Sequence, residues 1–272
     1  MNNFTNKLTP FLITLQFLTR LPVTFILNKI SDSDPLQDNI YTPDNMSRTL
    51  KYYPVVGFIV GAALILLILI LQMFAQYHTF YIAGLAVTFW VLITGGLHLD
   101  GVADMADAWV GGLGDKEKIL KIMKDPVCGP FGVMAIVFVI ILKTIFIFEL
   151  LNINFYLILI PPLLARSWVV VLLMITPYVR EQGMGSNLIA IEQKHKNIIS
   201  VIIFSILLFV LLSFLVSIAI SLFIVLISVL FAYLYRMKVM QRLDGVTGDV
   251  AGAFIEYMEL IVLFSMVTLL MK

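Results

Sequence analysis

Long apolar runs constrain the fold of this chain more than any other feature of its sequence. Three of them are almost free of charge and cover about residues 54–74, 80–97 and 131–150. A helix needs roughly 20 apolar residues to cross the hydrocarbon core of a bilayer. The whole chain is 61% hydrophobic and 13% charged, whereas soluble domains are about half apolar and a quarter charged. The sequence therefore predicts an integral membrane protein.

Three further runs decide the number of spans. The run at 153–176 is interrupted by two prolines and an arginine, and a last span covers about 250–270. The run at 198–235 is too long for one crossing, since a helix of that length would extend roughly 57 Å. Ser213 and Ser217 near its middle predict two helices joined by a tight turn.

The N-terminal apolar segment at 11–27 is different, because Arg20 and Pro22 interrupt it. We expect it to lie in the membrane interface or to re-enter the membrane from one side. The predicted fold class is all-α: a polytopic transmembrane helix bundle of about seven spans plus this N-terminal interfacial or re-entrant segment. No composition shift or linker divides the chain, so residues 1–272 are expected to form one domain.

Basic residues in the connections predict which side of the bundle faces the cytoplasm. With seven spans, every connection that carries lysine or arginine falls on one side, and the positive-inside rule makes that side cytoplasmic. These residues are Lys29, Arg48, Lys51, Lys116, Lys118, Lys121, Lys124, Arg180, Lys194, Lys196, Arg236, Lys238 and Arg242.

Net charge and cysteine content exclude other classes of protein. The net charge is +1, which does not favour a nucleic-acid partner. The only cysteine is Cys128, so an intrachain disulfide framework and a cysteine-rich metal site are both excluded.

A first acidic group follows the second long run. Asp100, Asp104 and Asp107 are spaced four and three residues apart, which places them within roughly 60° of one helix face. Three like charges beside lipid repel one another, and Mg²⁺ is typically held by one or two carboxylates plus substrate phosphates. We therefore predict all three as magnesium ligands. The alternative is a solvated helix end whose acids face water.

A second acidic group lies at the start of the last span. Asp244 and Asp249 flank a glycine-rich turn whose amides suit an anion. Glu256 follows Asp249 by seven residues on the same helix face, and Glu259 continues it. In a seven-span topology both acidic groups face the cytoplasm. We therefore predict that Asp244 and Asp249 share a site with the first group, which holds one metal ion or two.

The segment after the first acidic group is basic. Lys121 and Lys124 are three residues apart on one helix face, and Gly129 and Gly132 follow. A lysine beside a glycine-rich bend can hold a phosphate, so Lys124 is a predicted substrate ligand. The alternative is an ordinary cytoplasmic loop charge, which is the reading we expect for Lys116.

Two more polar residues lie in apolar surroundings. Arg166 needs a partner there, either an acid, a carbonyl or a substrate phosphate, and we predict that it binds substrate. His98 neighbours Asp100 but points to another side of the helix; it is a candidate catalytic base, with a packing role as the alternative. Acids for Mg²⁺, basic groups for phosphate and a membrane-embedded frame together predict phosphoryl-group transfer.

Six motifs, in order, resemble one family. They read FLTRLPV, YYPVVGFIVG, GGLHLDGVADMADAW, KIMKDPVCGPFGVMA, LARSWVV and GVTGDVAGAFIE, and they cover nearly the whole chain. They are similar to the motifs of cobalamin synthase, the family of adenosylcobinamide-GDP ribazoletransferases. The resemblance implies a multi-pass enzyme of the bacterial inner membrane with a cytoplasmic active site. Such an enzyme joins adenosylcobinamide-GDP to α-ribazole or its 5′-phosphate, releases GMP and requires Mg²⁺.

The resemblance also implies roles for the predicted residues. The aspartates of the first group would hold Mg²⁺ against the pyrophosphate, and Asp244 and Asp249 would complete the metal site or orient the attacking ribose hydroxyl. The expected catalytic residues are Asp100, Asp104, Asp249 and His98, and the expected substrate ligands are Lys124, Arg166, Arg20 and Thr247. The expected partners are the two substrates and the lipid bilayer, and a homo-oligomer is compatible with the sequence.

Two other classes are weighed against this one. Enzymes like the CDP-alcohol phosphotransferases also place Asp-Gly pairs at helix mouths, but this chain reads Asp100-Gly101-Val102-Ala103-Asp104 and lacks the arginine of their Asp-Gly-x-x-Ala-Arg pattern. A cation-coupled transporter predicts charge deep within several spans, where this chain has mainly Lys143, Glu149 and Arg166.

Overall fold

Helices form all the regular elements of the computed structural model, which describes residues 5–23, 25, 27, 41–74, 78–179 and 194–271. The α-helices are α1 (Thr5–Leu18), α2 (Pro43–Ser47), α3 (Tyr53–Phe74), α4 (Thr79–Thr94), α5 (Leu97–Gly111), α6 (Lys116–Ile122), α7 (Pro130–Ile153), α8 (Ile160–Ile175), α9 (Lys194–Leu215), α10 (Ile218–Leu243) and α11 (Gly248–Leu270). Two 3₁₀ turns, Leu50–Tyr52 and Phe155–Leu159, lead into α3 and α8. The all-α prediction is confirmed for these residues.

Membrane spans account for most of the helices. Those long and apolar enough to cross a bilayer, among the described residues, are Asp44–Met73, Pro130–Ile153, Phe155–Ile175, Ile218–Leu243 and Gly248–Leu270. A sixth crossing arises if α4 and α5 are counted together. The chain is a multi-pass helical membrane protein, and the predicted count of about seven spans is not confirmed. Lys29 and Arg180, two of the basic residues used to predict orientation, lie outside the described residues.

The second predicted span ends earlier than expected. α4 ends at Thr94, and the chain bends by 89° before α5 begins at Leu97. Gly95 and Gly96 make the bend with backbone φ values of 66° and 68°, a left-handed conformation that glycine adopts without steric cost. The span predicted at about 80–97 therefore ends at Thr94, and the aspartates lie on a separate helix.

Local chemistry explains the other interrupted runs. The run at 198–235 divides between α9 and α10 as predicted, and the Ser217 hydroxyl accepts a hydrogen bond from the Ile220 N–H at 3.3 Å where α10 begins. Pro161 and Pro162 do not interrupt a helix. They occupy the first turn of α8, where a backbone N–H has no intrahelical partner to lose.

The N-terminal segment docks on the bend between α4 and α5. Its apolar helical part, Leu8–Leu18, is too short to cross a bilayer, and its interfacial or re-entrant placement stays a prediction. The Arg20 N–H donates to the Ile93 carbonyl at 2.7 Å. The Arg20 side chain lies against Gly95, where any Cβ would overlap its Nε. Residues 24, 26 and 28–40, at and beyond the end of this segment, lie outside the described part of the chain.

α11 is the central helix of the bundle. It packs against α5, α7, α8 and α10, and it is buried along most of its length, from Val250 to Val267. α3 packs on α8, where a Cβ at Gly57 would lie 2.5 Å from the Pro162 carbonyl oxygen. Small residues permit such close approach between membrane helices. The fold thereby makes neighbours of α5 and α11, the two helices that carry the predicted acidic groups.

Candidate active site

The first acidic group lies on the less buried face of α5. Asp100 is exposed, and Asp104 and Asp107 are half-buried. Val102, on the other side of the helix, is fully buried. The three aspartates therefore share one face, as their spacing predicts, and this face is accessible at the end of the helix that carries Asp100.

Gly101 brings the second acidic group against this helix. A Cβ at Gly101 would lie 2.5 Å from the Asp249 carbonyl oxygen and 3.1 Å from its Cα, so only glycine allows this approach. Tyr235 of α10 fixes the same junction, because its hydroxyl donates to the Val250 carbonyl at 2.7 Å and lies 3.1 Å from the Met105 sulfur. The backbone of Asp249, a half-buried residue in the first turn of α11, thus lies against Gly101, the neighbour of Asp100.

Asp107 caps α7. Its carboxylate oxygens accept hydrogen bonds from the Gly129 N–H at 2.7 Å and the Gly132 N–H at 2.9 Å. These amides lie at the start of α7, where the helix dipole favours a negative charge. A Cβ at Gly129 would lie 2.5 Å from Asp107 Oδ1, so this contact needs glycine. Backbone amides thus engage both oxygens of this carboxylate, and its role as a magnesium ligand stays a prediction.

Asp244 is paired with a lysine. It ends α10 in a left-handed conformation, with φ of 58°, and its carboxylate accepts a hydrogen bond from Lys116 Nζ at 2.7 Å. The next turn is held by the backbone, since the Val246 N–H donates to the Pro177 carbonyl at 2.8 Å. Lys116, which we expected to be an ordinary loop charge, thus pairs with Asp244, and the role of Asp244 as a magnesium ligand stays a prediction.

Thr247 begins α11. It is fully buried, and its hydroxyl oxygen accepts a hydrogen bond from the Val250 N–H at 3.3 Å. A threonine at this position satisfies a backbone donor that the helix leaves without a partner. The structure therefore gives Thr247 a capping role, and the predicted contact with substrate stays a prediction.

The loop before α7 lies over the acidic face of α5. Cys128 in this loop is exposed, and its sulfur lies 4.0 Å from Asp107 Oδ2. Desolvation, followed by the negative charges of Asp107, Asp104 and Asp100, raises the pKa of this thiol. The contact with Asp107 places the thiol close to the face that the three acids share. Lys124 is exposed near the start of the same loop.

The carboxylates fit an open magnesium site that substrate completes, and they do not fit a site built from protein ligands alone. No three His, Cys, Asp or Glu side chains converge as metal ligands anywhere in the part of the chain that the structure describes. Asp100 and Asp104 nevertheless present carboxylate oxygens one helical turn apart on an accessible face. Mg²⁺ commonly takes one or two carboxylates and completes its shell with water and substrate phosphates. The residues present suit that open arrangement, and they do not form an all-protein cage.

Arg166 lies inside the bundle, away from this face. It is 0% exposed, and its NH1 donates to Glu259 Oε1 at 2.6 Å and to the Pro162 carbonyl at 3.1 Å. Of the three kinds of partner that the sequence left open, the structure supplies an acid and a carbonyl. The prediction that Arg166 binds substrate departs from this placement, because its guanidinium has no exposed surface.

Sequence reasoning missed the central role of Lys143. This lysine of α7 donates to Glu256 at 2.6 Å and to Glu259 at 2.5 Å, and it lies 4.4 Å from the centre of the Trp90 ring. Its position inside an apolar run was the available signal. His98 is buried on the other side of α5 from the accessible acids, with its Nδ1 4.0 Å from Glu256 Oε1. That placement favours the packing alternative over a catalytic base.

These observations define a class of protein. The chain is an all-helical, multi-pass membrane protein with accessible carboxylates at the junction of two neighbouring helices and a set of paired charges inside the bundle. Residues 10–267 match the sequence model of the family described as cobalamin-5-phosphate synthase. The chain belongs to this family.

Related proteins align with this chain along almost its whole length. A protein of Acinetobacter baumannii named adenosylcobinamide-GDP ribazoletransferase is 38% identical over 96% of this chain and 97% of its own length. A protein of the same name from Pseudomonas syringae pv. syringae is 37% identical over 96% of this chain and 99% of its own length. A third protein of that name, from Pseudomonas entomophila, is 39% identical over 93% of this chain and 96% of its own length. No solved structure matches the chain.

Proposed function

We propose that this chain is an adenosylcobinamide-GDP ribazoletransferase. A ribose hydroxyl of α-ribazole, or of its 5′-phosphate, attacks the phosphorus attached to the cobinamide; the bond to GMP breaks and the hydroxyl proton is released. The products are adenosylcobalamin, or its 5′-phosphate, and GMP. The observation that carries this proposal is the 38% identity, over 96% of the chain, to a relative of that name. The accessible carboxylates beside α11 support it.

Asp100 and Asp104 are the proposed magnesium ligands. They lie one helical turn apart on the less buried face of α5, where Asp100 is exposed and Asp104 is half-buried. Bound Mg²⁺ would neutralise charge on the pyrophosphate of the donor. The proposed role of Asp249, at the contact between α5 and α11, is to orient the attacking hydroxyl.

Lys124 and Arg20 are the proposed ligands of the donor phosphates. Lys124 begins the loop that lies over the acids, and Arg20 lies against the bend from which α5 starts. A cavity of about 270 Å³ opens beside that bend, with Arg20, Phe17 and Tyr41 in its lining. A cation next to aromatic walls suits a nucleoside monophosphate such as the leaving GMP.

One contact supports the proposal of a topology with seven crossings. Lys116 and Asp244 touch at 2.7 Å, so the loops before α7 and after α10 lie on one side of the membrane. An even number of crossings must separate them, and α7, α8, α9 and α10 supply four only if α9 crosses. Counting α4 and α5 as one crossing then supports seven spans, and loop charge makes the shared side cytoplasmic in the inner membrane of a bacterium.

Cysteine labelling tests this topology. Single cysteines at the exposed positions Lys118 and Gln241, in a Cys128→Ser background, are to be treated with a membrane-impermeant maleimide. Both should be labelled in inverted vesicles and neither in intact cells. Labelling of one position from each side contradicts the even number of crossings.

Product identity tests the function. Purified protein is incubated with radiolabelled adenosylcobinamide-GDP, α-ribazole 5′-phosphate and Mg²⁺, and we expect GMP and a cobalamin product in equal amounts. A cation-coupled transporter releases no nucleotide, and a phospholipid-synthesis enzyme releases CMP from a CDP donor. Absence of GMP from demonstrably folded protein overturns the proposal.

A further inference from the structure

Four ionisable side chains form a buried network inside the bundle. Lys143 of α7 bridges Glu256 and Glu259 of α11, at 2.6 and 2.5 Å. Arg166 of α8 donates to Glu259 at 2.6 Å. Each of the four side chains is at most 4% exposed. With two cations and two anions, the network is electrically neutral when all four groups are ionised.

Stability alone does not account for such a network. Removing charges from their solvated state is costly, and well-packed apolar side chains often hold helices together equally well or better. Ionisable residues within membrane spans are for this reason presumed functional. Buried charge pairs add directional hydrogen bonds, which fix the rotation and register of one helix against another.

The network reaches both acid-bearing helices. Glu256 follows Asp249 by seven residues, which is two turns or roughly 10 Å along the same face of α11. Glu256 also lies 4.0 Å from His98, which precedes Asp100 by two residues on α5. A Cβ at Gly252 would lie 3.4 Å from His98 Cα, so the two helices are close together at this level as well. A rotation of α11 that displaced Glu256 would also displace Asp249.

Lys143 is fixed from two further directions. Its ammonium lies over the ring of Trp90, on the helix that bends into α5. The start of its own helix is held to α5 by Asp107, which accepts the amides of Gly129 and Gly132. α7 is thus attached to α5 at one point and to α11 at another, and Lys143 is the second of these attachments.

We propose that this buried network is a positioning device for the active site, with Lys143 as its central residue. It sets the rotation of α11 against α5, so that Asp249 meets the carboxylates of α5 in the geometry that transfer requires. These are positioning residues and not catalytic ones, because the four side chains are buried and pair with one another. The inference rests on the proposed function, so its test includes one measurement that is independent of turnover.

Charge balance provides the kinetic test. Lys143→Met leaves the buried groups with a net charge of −1, Glu256→Gln leaves +1, and the double variant is neutral again with the Arg166–Glu259 pair intact. Each single variant should lower kcat about tenfold or more, and should raise the Mg²⁺ concentration needed for half the maximal rate. The KM for adenosylcobinamide-GDP should stay within about twofold. The double variant should recover most of kcat, and Lys118→Met, at an exposed lysine of α6, is the control.

Distances between spin labels report the arrangement of the helices independently of enzyme turnover. Cysteines at the exposed positions Val110 on α5 and Phe264 on α11, in the Cys128→Ser background, give an interhelix distance distribution. We expect Lys143→Met to shift or broaden it and the double variant to restore it. If Lys143→Met does not insert, Glu256→Gln takes its place.

The outcomes separate this inference from the proposed function. Single variants with wild-type distances and wild-type kcat overturn it, and so does a double variant that is no better than either single. If the distances respond as expected but wild-type protein releases no GMP, the proposed function fails, while the coupling of α5 to α11 stands.

Discussion

Replacing Asp107 by alanine separates a helix cap from a metal ligand. The carboxylate accepts two backbone amides, at 2.7 and 2.9 Å, at the start of α7. A hydrogen bond to a charged group contributes about 1.5–3 kcal/mol, and the half-buried position of Asp107 favours the lower value. The helix dipole adds about 0.3–1 kcal/mol. The free energy of unfolding should therefore fall by about 3–4 kcal/mol in Asp107→Ala, and by at least about half as much in Asp107→Asn.

Thermal unfolding of the purified protein measures this loss. For a chain of this size the Tm should fall by about 10 °C in Asp107→Ala. Asp115→Ala is the matched control, because Asp115 also accepts hydrogen bonds from two backbone amides, but at the start of the short, exposed helix α6. This control substitution should lower the free energy of unfolding by only about 1 kcal/mol. Below the Tm of the variant, the Mg²⁺ concentration that gives half the maximal GMP release should equal that of the wild type.

The opposite pattern refutes the capping role. If Asp107→Ala and Asp107→Asn keep the wild-type Tm but need far more Mg²⁺ for GMP release, the carboxylate is a metal ligand, as its spacing in the sequence predicts.

Three other substitutions probe the same surface. Gly101→Ala should abolish turnover, because its Cβ would lie 2.5 Å from the backbone of α11, whereas Gly84→Ala, at an uncrowded position of α4, should be neutral; equal GMP release by the two contradicts the close contact. Lys116→Ala removes an exposed ion pair worth less than about 1 kcal/mol, so a large change in Tm or in turnover would show that the pair matters more than its exposure allows. Asp100→Asn should speed the reaction of Cys128 with maleimide near neutral pH, because loss of a negative charge lowers the thiol pKa and increases the thiolate fraction. Unchanged labelling rates would place the thiol away from Asp100.

Helices were predictable wherever their determinants are local. Apolar runs and the serines near the middle of 198–235 placed α9 and α10 correctly, since Ser217 caps α10 through its own neighbours. The bend after α4 was not predictable, because apolar residues continue across it. Gly95 and Gly96 permit a left-handed turn but do not require one. Docking of α5 against α11 selects that turn, and this is a tertiary effect.

The sequence was enough to predict which residue types form the candidate site. It was much less able to predict the hydrogen-bond and ion-pair partners of those residues. Spacing correctly placed the three aspartates on one face of α5. The amides that engage Asp107 lie 22 and 25 residues further along the chain, and the lysine that engages Asp244 is 128 residues away. The buried partners of Lys143 are 113 and 116 residues away. An unpaired charge in an apolar run predicts that a partner exists, but only the packed bundle identifies it.

The central claim is that Asp100 and Asp104 hold the Mg²⁺ that the transfer of the cobinamide phosphate requires. Its most direct test is GMP release measured against Mg²⁺ concentration for the wild type, Asp100→Asn and the exposed control Glu117→Gln. We predict a rate loss on the order of 10³-fold for Asp100→Asn at saturating Mg²⁺, with an unchanged Tm and a wild-type profile for the control. Near-normal turnover by Asp100→Asn at low Mg²⁺ would contradict the account.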